Sequence, residues 1–332
     1  MRTDFENLTN EILMQIFEHL DAYHLFKAFA HLNSRFDRLI TDYRLALKFH
    51  SKHLRDHDEF DQKLWIIMGN YLTALTLILD RHIRMFMLMT KDCQFPYLES
   101  LTLRQVRITR DKSAVVKFIS KLKSLKNLRI QSIGEMNDLT LMIFSSNNLP
   151  NLISYESKNT EYPTVIFFTY PKPTNIEYLT IDSTLYNLSS ILLQTPKLRY
   201  IDLDLTTYGR EDQTETQFPL PKMMFLTHLS LNMHFISYIH LTDLIKVLPS
   251  LRTLDLSGNS MGAHFDNGEK LKSLFEHLRE VVIEDLNCLT HSTSTNQILS
   301  TFYNQNNNGF WSDVTCSIQY DRALISAVGR KI

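Results

Sequence analysis

Apolar residues recur along most of the chain in one template, L-x-x-L-x-L, whose last two apolar positions stand two residues apart. This spacing predicts a short β-strand with both side chains on one face, because successive side chains of a strand alternate between its faces. Nine copies follow one another at intervals of 22 to 28 residues, counted between their first positions, which are Leu72, Leu98, Leu125, Leu152, Ile176, Leu198, Leu226, Leu251 and Leu278.

The segments between several copies carry apolar residues three and four positions apart, which predicts amphipathic helices. The residues with this spacing are Val115, Val116, Phe118, Ile119 and Leu122; Leu188, Ile191 and Leu192; Leu241, Leu244, Ile245 and Leu248; and Leu271, Leu274 and Phe275. One strand and one helix cannot bury their apolar edges alone, so neighbouring copies have to stack into a continuous core. An ordinary α/β domain with leucine-rich strands is the alternative, but it would not keep this interval over residues 71–291.

The copies resemble leucine-rich repeats. The copy that begins at Leu251 matches the longer template L-x-x-L-x-L-x-x-N-x-L most fully, through Leu254, Leu256, Asn259 and Met261. Most other copies lack the asparagine, so the resemblance is to the irregular, helix-containing class of these repeats. It implies an α/β fold: a curved solenoid with one parallel sheet on its concave face and helices outside.

The first fifty residues have a different pattern, which predicts three helices. The first has Thr9 as a cap and Glu11 in its first turn, and the three apolar sets are Ile12, Leu13, Ile16, Phe17 and Leu20; Leu25, Phe26, Ala28, Phe29 and Leu32; and Phe36, Leu39 and Ile40. Fewer than 50 residues cannot bury this much apolar surface internally. Some of it must therefore face another surface, either the repeats or another protein.

Residues 5–48 resemble an F-box, with Thr9 where that motif usually has proline and Phe36 where it usually has tryptophan. The resemblance implies binding to the Skp-type adaptor of cullin-based ubiquitin ligases. The residues at the family's adaptor-contacting positions are Leu8, Ile12, Leu13, Ile16, Phe17, Leu20, Leu25 and Phe29. Some of these would instead pack inside the unit, and the sequence does not sort them one by one.

The predicted organisation has four parts: an F-box over 1–48, a junction and N-terminal solenoid cap over 49–70, repeats over 71–291, and a C-terminal cap over 292–332. Leu45, Leu47 and Phe49 alternate like an edge strand before the repeats, and Phe60 to Met68 has helical spacing. At the far end, Val314, Cys316, Ile318 and Tyr320 alternate as one closing strand. Solenoids need such caps because their terminal repeats otherwise expose the core.

Residues that alternate with the buried leucines would line the open, concave face. In the first repeats they include Arg104, Arg129 and Lys158, whereas the later repeats carry Asp182, Asp202, Asp204, Asp255, Glu280 and Glu284. One interpretation is a solvated face whose charges keep the protein soluble. The other is a docking surface for a protein substrate with a basic segment, centred on Tyr178, Asp182, Tyr200, Asp202, Asp204 and Asp255.

Composition removes several classes of function. With 35 basic and 36 acidic residues and a net charge of −1, the chain lacks the basic footprint of a nucleic-acid binder. It has 8 glycines, about a third of average usage, and contains no G-x-G-x-x-G, G-x-x-x-x-G-K or G-x-S-x-G motif. We therefore expect no cofactor and no catalytic residues.

The cysteines, the first residues, the longest apolar stretch and the histidines bear on the cellular compartment and on metal binding. Three scattered cysteines form no disulfide or zinc pattern, and the first residues lack the apolar core of a secretory signal, so we expect an intracellular protein of the cytoplasm or nucleus. The apolar stretch from Leu64 to Leu79 has 16 residues, too few for a membrane span. His50, His53 and His57 have helical spacing, which we interpret as a solvated polar helix rather than a metal site.

These expectations converge on a non-enzymatic protein. The primary hypothesis is a substrate-recognition adaptor of an SCF-type cullin–RING ubiquitin ligase, whose F-box docks the ligase while the repeats bind a target protein. The alternative is a leucine-rich-repeat interaction scaffold in which the F-box-like helices act only as a cap. The sequence leaves open the identity of the target, whether a modified residue is recognised, and the oligomeric state.

Overall fold

The computed structural model describes residues 5–42, 45–51, 62–78, 80–89, 93–107, 112–133, 137–145, 149–159, 173–207, 220–261, 264–289, 294–303, 309–319 and 322–330. The chain forms two compact units, Met1–Tyr162 and Pro163–Ile332. Both are mixed α/β, and most of their strands are parallel.

Unit 1 begins with helices and continues with alternating strands and helices. Its elements are a short 3-10 helix (Phe5–Asn7), α1 (Asn10–Glu18), α2 (Ala22–Phe29), α3 (Ser34–Ile40), β1 (Leu47–His50), α4 (Gln62–Gly69), β2 (Leu72–Ile78), α5 (Asp80–Met89), β3 (Ser100–Arg107), α6 (Lys112–Ser120), β4 (Asn127–Ile133), α7 (Asn137–Ser145) and β5 (Ser154–Asn159). The strands β1 to β5 pair in chain order and are all parallel. The three N-terminal helices, the early edge strand and the helix α4 were all predicted from the sequence.

Unit 2 has a parallel part and an antiparallel end. Its elements are β6 (Tyr178–Thr184), α8 (Leu185–Gln194), β7 (Tyr200–Thr206), β8 (His228–Ser237), α9 (Tyr238–Lys246), β9 (Thr253–Met261), α10 (Gly268–Phe275), β10 (Glu280–Leu289), α11 (Thr295–Tyr303), β11 (Trp311–Gln319) and β12 (Arg322–Arg330). The strands β6 to β10 pair in chain order and in parallel. The last strand, β12, then pairs antiparallel with both β10 and β11.

Each template copy supplies one strand, and equivalent positions of neighbouring strands pair with each other. In unit 1, Leu75, Leu101, Leu128 and Tyr155 form one continuous row of partners. In unit 2 the corresponding row is Leu179, Ile201, Leu229, Leu254 and Val281. All three template positions of all nine copies are at most 4% exposed. The predicted strands and their buried faces are therefore confirmed, and the four predicted helices are α6, α8, α9 and α10.

The strict alternation ends at a recurring bulge. Gln105, Gly258 and Asp285 each lie seven residues after the first template position of their copy, and their φ angles are 54°, 93° and 50°. The strand register shifts next to Gln105 and Asp285, as expected where an extra residue enters one strand. After the bulge, Ser260 is buried and Met261 is 38% exposed, so Met261 fits the template by sequence but does not complete the core.

The C-terminal end differs from the predicted single closing strand. The strand β11 carries Val314, Cys316 and Ile318 as expected, whereas Tyr320 lies outside the described residues. The additional strand β12 separates β11 from β10. Its inward residues include Ala323 and Ala327, which are small side chains with a weak strand signal, so the sequence pattern did not distinguish this strand.

We expect Gly258→Ala to destabilise unit 2 by about 2 to 4 kcal/mol. A Cβ atom there would lie 2.3 Å from the carbonyl oxygen of Met233 and 2.4 Å from Oδ1 of Asn232, at a φ of 93° that disfavours any side chain. The measurement is equilibrium unfolding in urea. Gln105→Gly is the control, because a glycine relieves a positive φ and should change stability by no more than about 1 kcal/mol. Equal effects of the two substitutions would contradict this account of the bulge.

Candidate functional site

Two surfaces qualify as candidate sites, one in each unit. The first belongs to the three N-terminal helices, which pack around the aromatic side chains of Phe5, Phe17, Phe29 and Phe36. The ring centroids of Phe17 and Phe29 are 5.0 Å apart, and those of Phe29 and Phe36 are 5.3 Å apart. Phe36, which the F-box resemblance aligns with the usual tryptophan of that motif, is 1% exposed. A phenylalanine therefore fills the centre of this small core.

Polar contacts fix how the three helices begin. Asn33 caps α3 by accepting hydrogen bonds from the backbone N–H groups of Arg35 and Phe36, both at 3.0 Å. Thr9 occupies the N-cap position of α1, as predicted, but its side chain makes no capping hydrogen bond. The guanidinium of Arg35 instead reaches this segment and donates to Oδ1 of Asn10 at 2.9 Å and to the backbone carbonyl of Leu8. The start of α1 is thus held by α3 rather than by its own cap.

The second helix connects this group to the edge strand β1. The carboxylate of Asp21 accepts one hydrogen bond from the backbone N–H of Tyr23, which caps α2, and a second at 2.7 Å from the backbone N–H of His50 in β1. Tyr23, Leu25 and Phe26 of α2 are buried, and the helix packs against α4 and β1. This helix therefore covers an edge strand, which is a common way to block unwanted strand pairing.

The structure sorts the eight residues that the F-box resemblance placed at the adaptor contact. Leu13, Phe17 and Leu25 are fully buried within the chain, because they fill the space between the helices and are not available to a partner. Ile12 is 44% exposed, and four are half-buried: Leu8, Ile16, Leu20 and Phe29.

The residues Leu8, Ile12, Ile16 and Leu20 are spaced four apart along and beside α1, and we call them the α1 stripe. Residues at this spacing lie on one side of a helix. Phe29 belongs to the aromatic cluster beneath, 5.6 Å from Phe5 between ring centroids. The stripe is therefore the part of the predicted contact that a second protein can reach.

The second candidate surface is the polar side of the parallel sheet in unit 2, which we call the polar face. It consists of three rows of paired residues: Tyr178, Tyr200, His228, Thr253 and Glu280; then Thr180, Asp202, Ser230, Asp255 and Val282; then Asp182, Asp204, Asn232, Ser257 and Glu284. Tyr178 and Tyr200 are direct neighbours, 46% and 36% exposed. Asp182 pairs with Asp204, whereas Asp202 pairs with Thr180.

Asp204 already has partners within the polar face. Nε2 of His234 lies 2.7 Å from its Oδ1, and the amide of Asn232 donates to its Oδ2 at 3.1 Å. His234 was not predicted from the sequence, although it lies two residues beyond Asn232 on β8 and so continues the same alternation. Asp204 is therefore a predicted docking residue whose carboxylate the protein itself already contacts through both oxygens.

Asp255 lies among like charges. Partial burial raises the pKa of its carboxyl, and the neighbouring carboxylates of Glu284, Glu280 and Asp202 raise this pKa further, while His228 opposes them. Diagonal neighbours on adjacent strands are about 7 to 8 Å apart, so Asp255 has a glutamate on either side of it on β10. Burial likewise raises the pKa of the Tyr200 hydroxyl, and Asp202 and Asp255 add to that effect. Tyr200 therefore adjoins the carboxylates of Asp202 and Asp255.

No family model matches the chain, and no curated protein matches its sequence significantly. Among the described helices, none is both long enough and apolar enough to cross a membrane. Within the same part of the chain, no three His, Cys, Asp or Glu side chains are grouped to hold a metal ion, and His53 and His57 lie outside it.

We expect Asp255→Asn to raise the melting temperature at pH 7 by about 1 to 2 °C, since surface changes of this kind contribute about 0.5 kcal/mol. A carboxyl whose pKa is raised by folding is favourable when protonated and becomes unfavourable as the pH rises through that pKa. In thermal unfolding measurements, the increase in melting temperature over wild type should therefore become smaller as the pH falls toward 4.

Asp204→Asn is the matched control, because it removes a carboxylate that His234 and Asn232 already bind. This substitution should not raise the melting temperature at pH 7. An equal gain from both substitutions, or a gain that does not depend on pH, would contradict the electrostatic account of Asp255.

Proposed function

We propose that this protein is a substrate-recognition adaptor of an SCF-type cullin–RING ubiquitin ligase, built from an F-box and a leucine-rich-repeat solenoid. The α1 stripe is the observation that carries this proposal. It is an apolar surface on the helices whose sequence resembles the F-box motif, and it includes Ile12 at 44% exposure. Contiguous apolar patches mark interaction sites, and the stripe places one exposed and three half-buried apolar side chains next to one another.

In this proposal, Leu8, Ile12, Ile16 and Leu20 contact the Skp-type adaptor. Leu13, Phe17 and Leu25 act indirectly, because their burial holds α1 in place. Burying the stripe would contribute about 25 cal/mol for each Å² of apolar surface removed from water. The hydrogen bonds from Arg35 to the start of α1 keep the stripe in one conformation before binding, which lowers the entropic cost of association.

The polar face of unit 2 is the proposed substrate site, on the concave side of the solenoid. Its exposed tyrosines supply rigid contact area, and its carboxylates favour a partner with a basic segment. The protein performs no chemistry of its own. It acts in the cytoplasm or nucleus by holding the target close to the ligase, where a high effective concentration takes the place of a catalytic site.

A second candidate is an interaction scaffold whose N-terminal helices only cap the repeats. The contact between α2 and β1 favours it, because Asp21 bonds directly to the backbone of His50 and the apolar side of α2 is buried. Under this hypothesis the α1 stripe has no partner and the polar face works without a ligase. The two candidates therefore differ in what α1 binds.

The test is capture of a purified Skp-type adaptor by the purified full chain, comparing wild type with Ile12→Glu. We expect the substitution to weaken binding by about 100-fold or more, because an unpaired charge in an apolar interface costs about 3 kcal/mol. Phe17 is unsuitable for this test because it is 0% exposed, so its replacement would disturb the helices themselves.

Ile66→Glu is a matched control, because Ile66 is also an isoleucine on a helix of unit 1 and is 45% exposed, against 44% for Ile12. It should bind the adaptor like wild type. Capture that survives Ile12→Glu would remove the α1 stripe from the proposal. Failure of wild type to capture the adaptor would leave the scaffold as the better candidate.

A further inference from the structure

We propose that the polar face of unit 2 selects arginine over lysine in the segment that it binds. The inference rests on the docking role proposed for this face, but it does not depend on the ligase role of the N-terminal helices. The occupant of the polar face is a protein segment bearing exposed arginines.

The first row of the polar face is aromatic at one end. Tyr178 and Tyr200 are paired neighbours with exposed fractions of 46% and 36%, and His228 follows on the next strand. The ring centroids of Tyr200 and His228 are 6.4 Å apart with a 35° angle between their planes. A planar guanidinium stacks on such rings more readily than a compact, strongly hydrated ammonium does.

The second row brings carboxylates beside these rings. Asp202 lies two residues after Tyr200 on β7, and Asp255 occupies the same row two strands further along. A guanidinium presents donors in a planar fork that can bind a carboxylate through two hydrogen bonds while its face rests on an aromatic ring. An ammonium group cannot make both contacts in this way, so the combination favours arginine.

Charge complementarity identifies the occupant as basic. Arg330 lies 3.3 Å from Glu280 and partly compensates its charge, while the carboxylate of Asp204 already has polar contacts with Nε2 of His234, at 2.7 Å, and with the amide of Asn232. Asp255, in contrast, has Glu280, Glu284 and Asp202 as its charged neighbours, with His228 as the opposing group. A cation placed between Tyr200 and Asp255 would relieve this repulsion. A basic side chain is therefore favoured there more strongly than at Asp204.

Strand spacing also constrains the segment. Tyr178, Tyr200 and His228 lie on successive strands, which are about 4.8 Å apart, so the aromatic row runs across the strands. Asp202 and Asp255, separated by two such steps, are about 10 Å apart. An extended segment places alternate side chains on one side about 7 Å apart, and long arginine side chains can span the remaining difference. Two arginines with one residue between them fit this arrangement.

The experiment measures binding of two fluorescent peptides to the purified full chain by anisotropy at low salt. One peptide contains Arg-Ala-Arg-Ala-Arg and the other contains Lys-Ala-Lys-Ala-Lys, so their net charge is equal. We expect the arginine peptide to bind at least about fivefold more tightly. Tyr200→Leu should bring this ratio close to one while charge-driven binding remains, and Asp255→Asn should weaken both peptides.

Two control variants make the same kinds of change outside the polar face, one replacing a tyrosine with leucine and one removing a carboxylate. Tyr186→Leu removes a tyrosine that is 56% exposed on α8, and Glu276→Gln removes an exposed carboxylate in the turn after α10. Neither residue belongs to the polar face, so both variants should bind the peptides like wild type. A loss of the arginine preference in Tyr186→Leu equal to that in Tyr200→Leu would overturn the inference.

The outcomes separate this inference from the proposed function. Equal affinity of wild type for both peptides would overturn arginine selection while leaving a docking surface for basic segments. Absence of binding to either peptide would overturn the docking role of the face as well. Neither result bears on adaptor capture by the α1 stripe, which is measured separately.

Discussion

The structure depends on one constraint: each strand buries the same template positions as its neighbour, in the same register. In unit 2 the row from Leu179 to Val281 places an aliphatic residue of every parallel strand beside its equivalent on the next. A slip by one residue would turn these side chains toward water and bring polar ones into the core. The hydrophobic effect therefore fixes the register of every pair at once.

Because the leucines fix the inward positions, they also fix the outward ones. Tyr178 lies beside Tyr200 and Asp182 beside Asp204 for the same reason that Leu179 lies beside Ile201. The polar face is therefore a regular grid of outward side chains, and substitutions there do not change the packing of the core. The crowding of charge around Asp255 is consequently tolerated, because it costs little compared with the burial of the template positions beneath it.

The sequence predicted the features that depend on periodicity. It left open those that depend on contacts between residues far apart in the chain. Strands and helices follow from spacing, and so does the side of the sheet on which Tyr200 or Asp202 lies. Periodicity did not separate Leu13, which is buried, from Ile12, which is exposed, because both are apolar residues of α1 and only the packing of the other helices distinguishes them. It also missed the contact of His234 with Asp204, since that contact joins two strands. The bulge at Asp285 was missed because its marks, a positive φ and a shift of strand register, are properties of the backbone, and no residue type is obligatory there.

The N-terminal helices can serve both candidate functions, because the two functions use different helices. Capping needs α2, whose buried side and whose Asp21 carboxylate hold the edge strand β1. Docking needs α1, whose stripe lies beside its buried residues Leu13 and Phe17 and stays partly exposed. A single helix that had to cap β1 and also dock a partner would bury its apolar side in one contact and have none left for the other. The division between α1 and α2 therefore makes the cap compatible with a ligase adaptor, and the presence of the cap is no argument against docking.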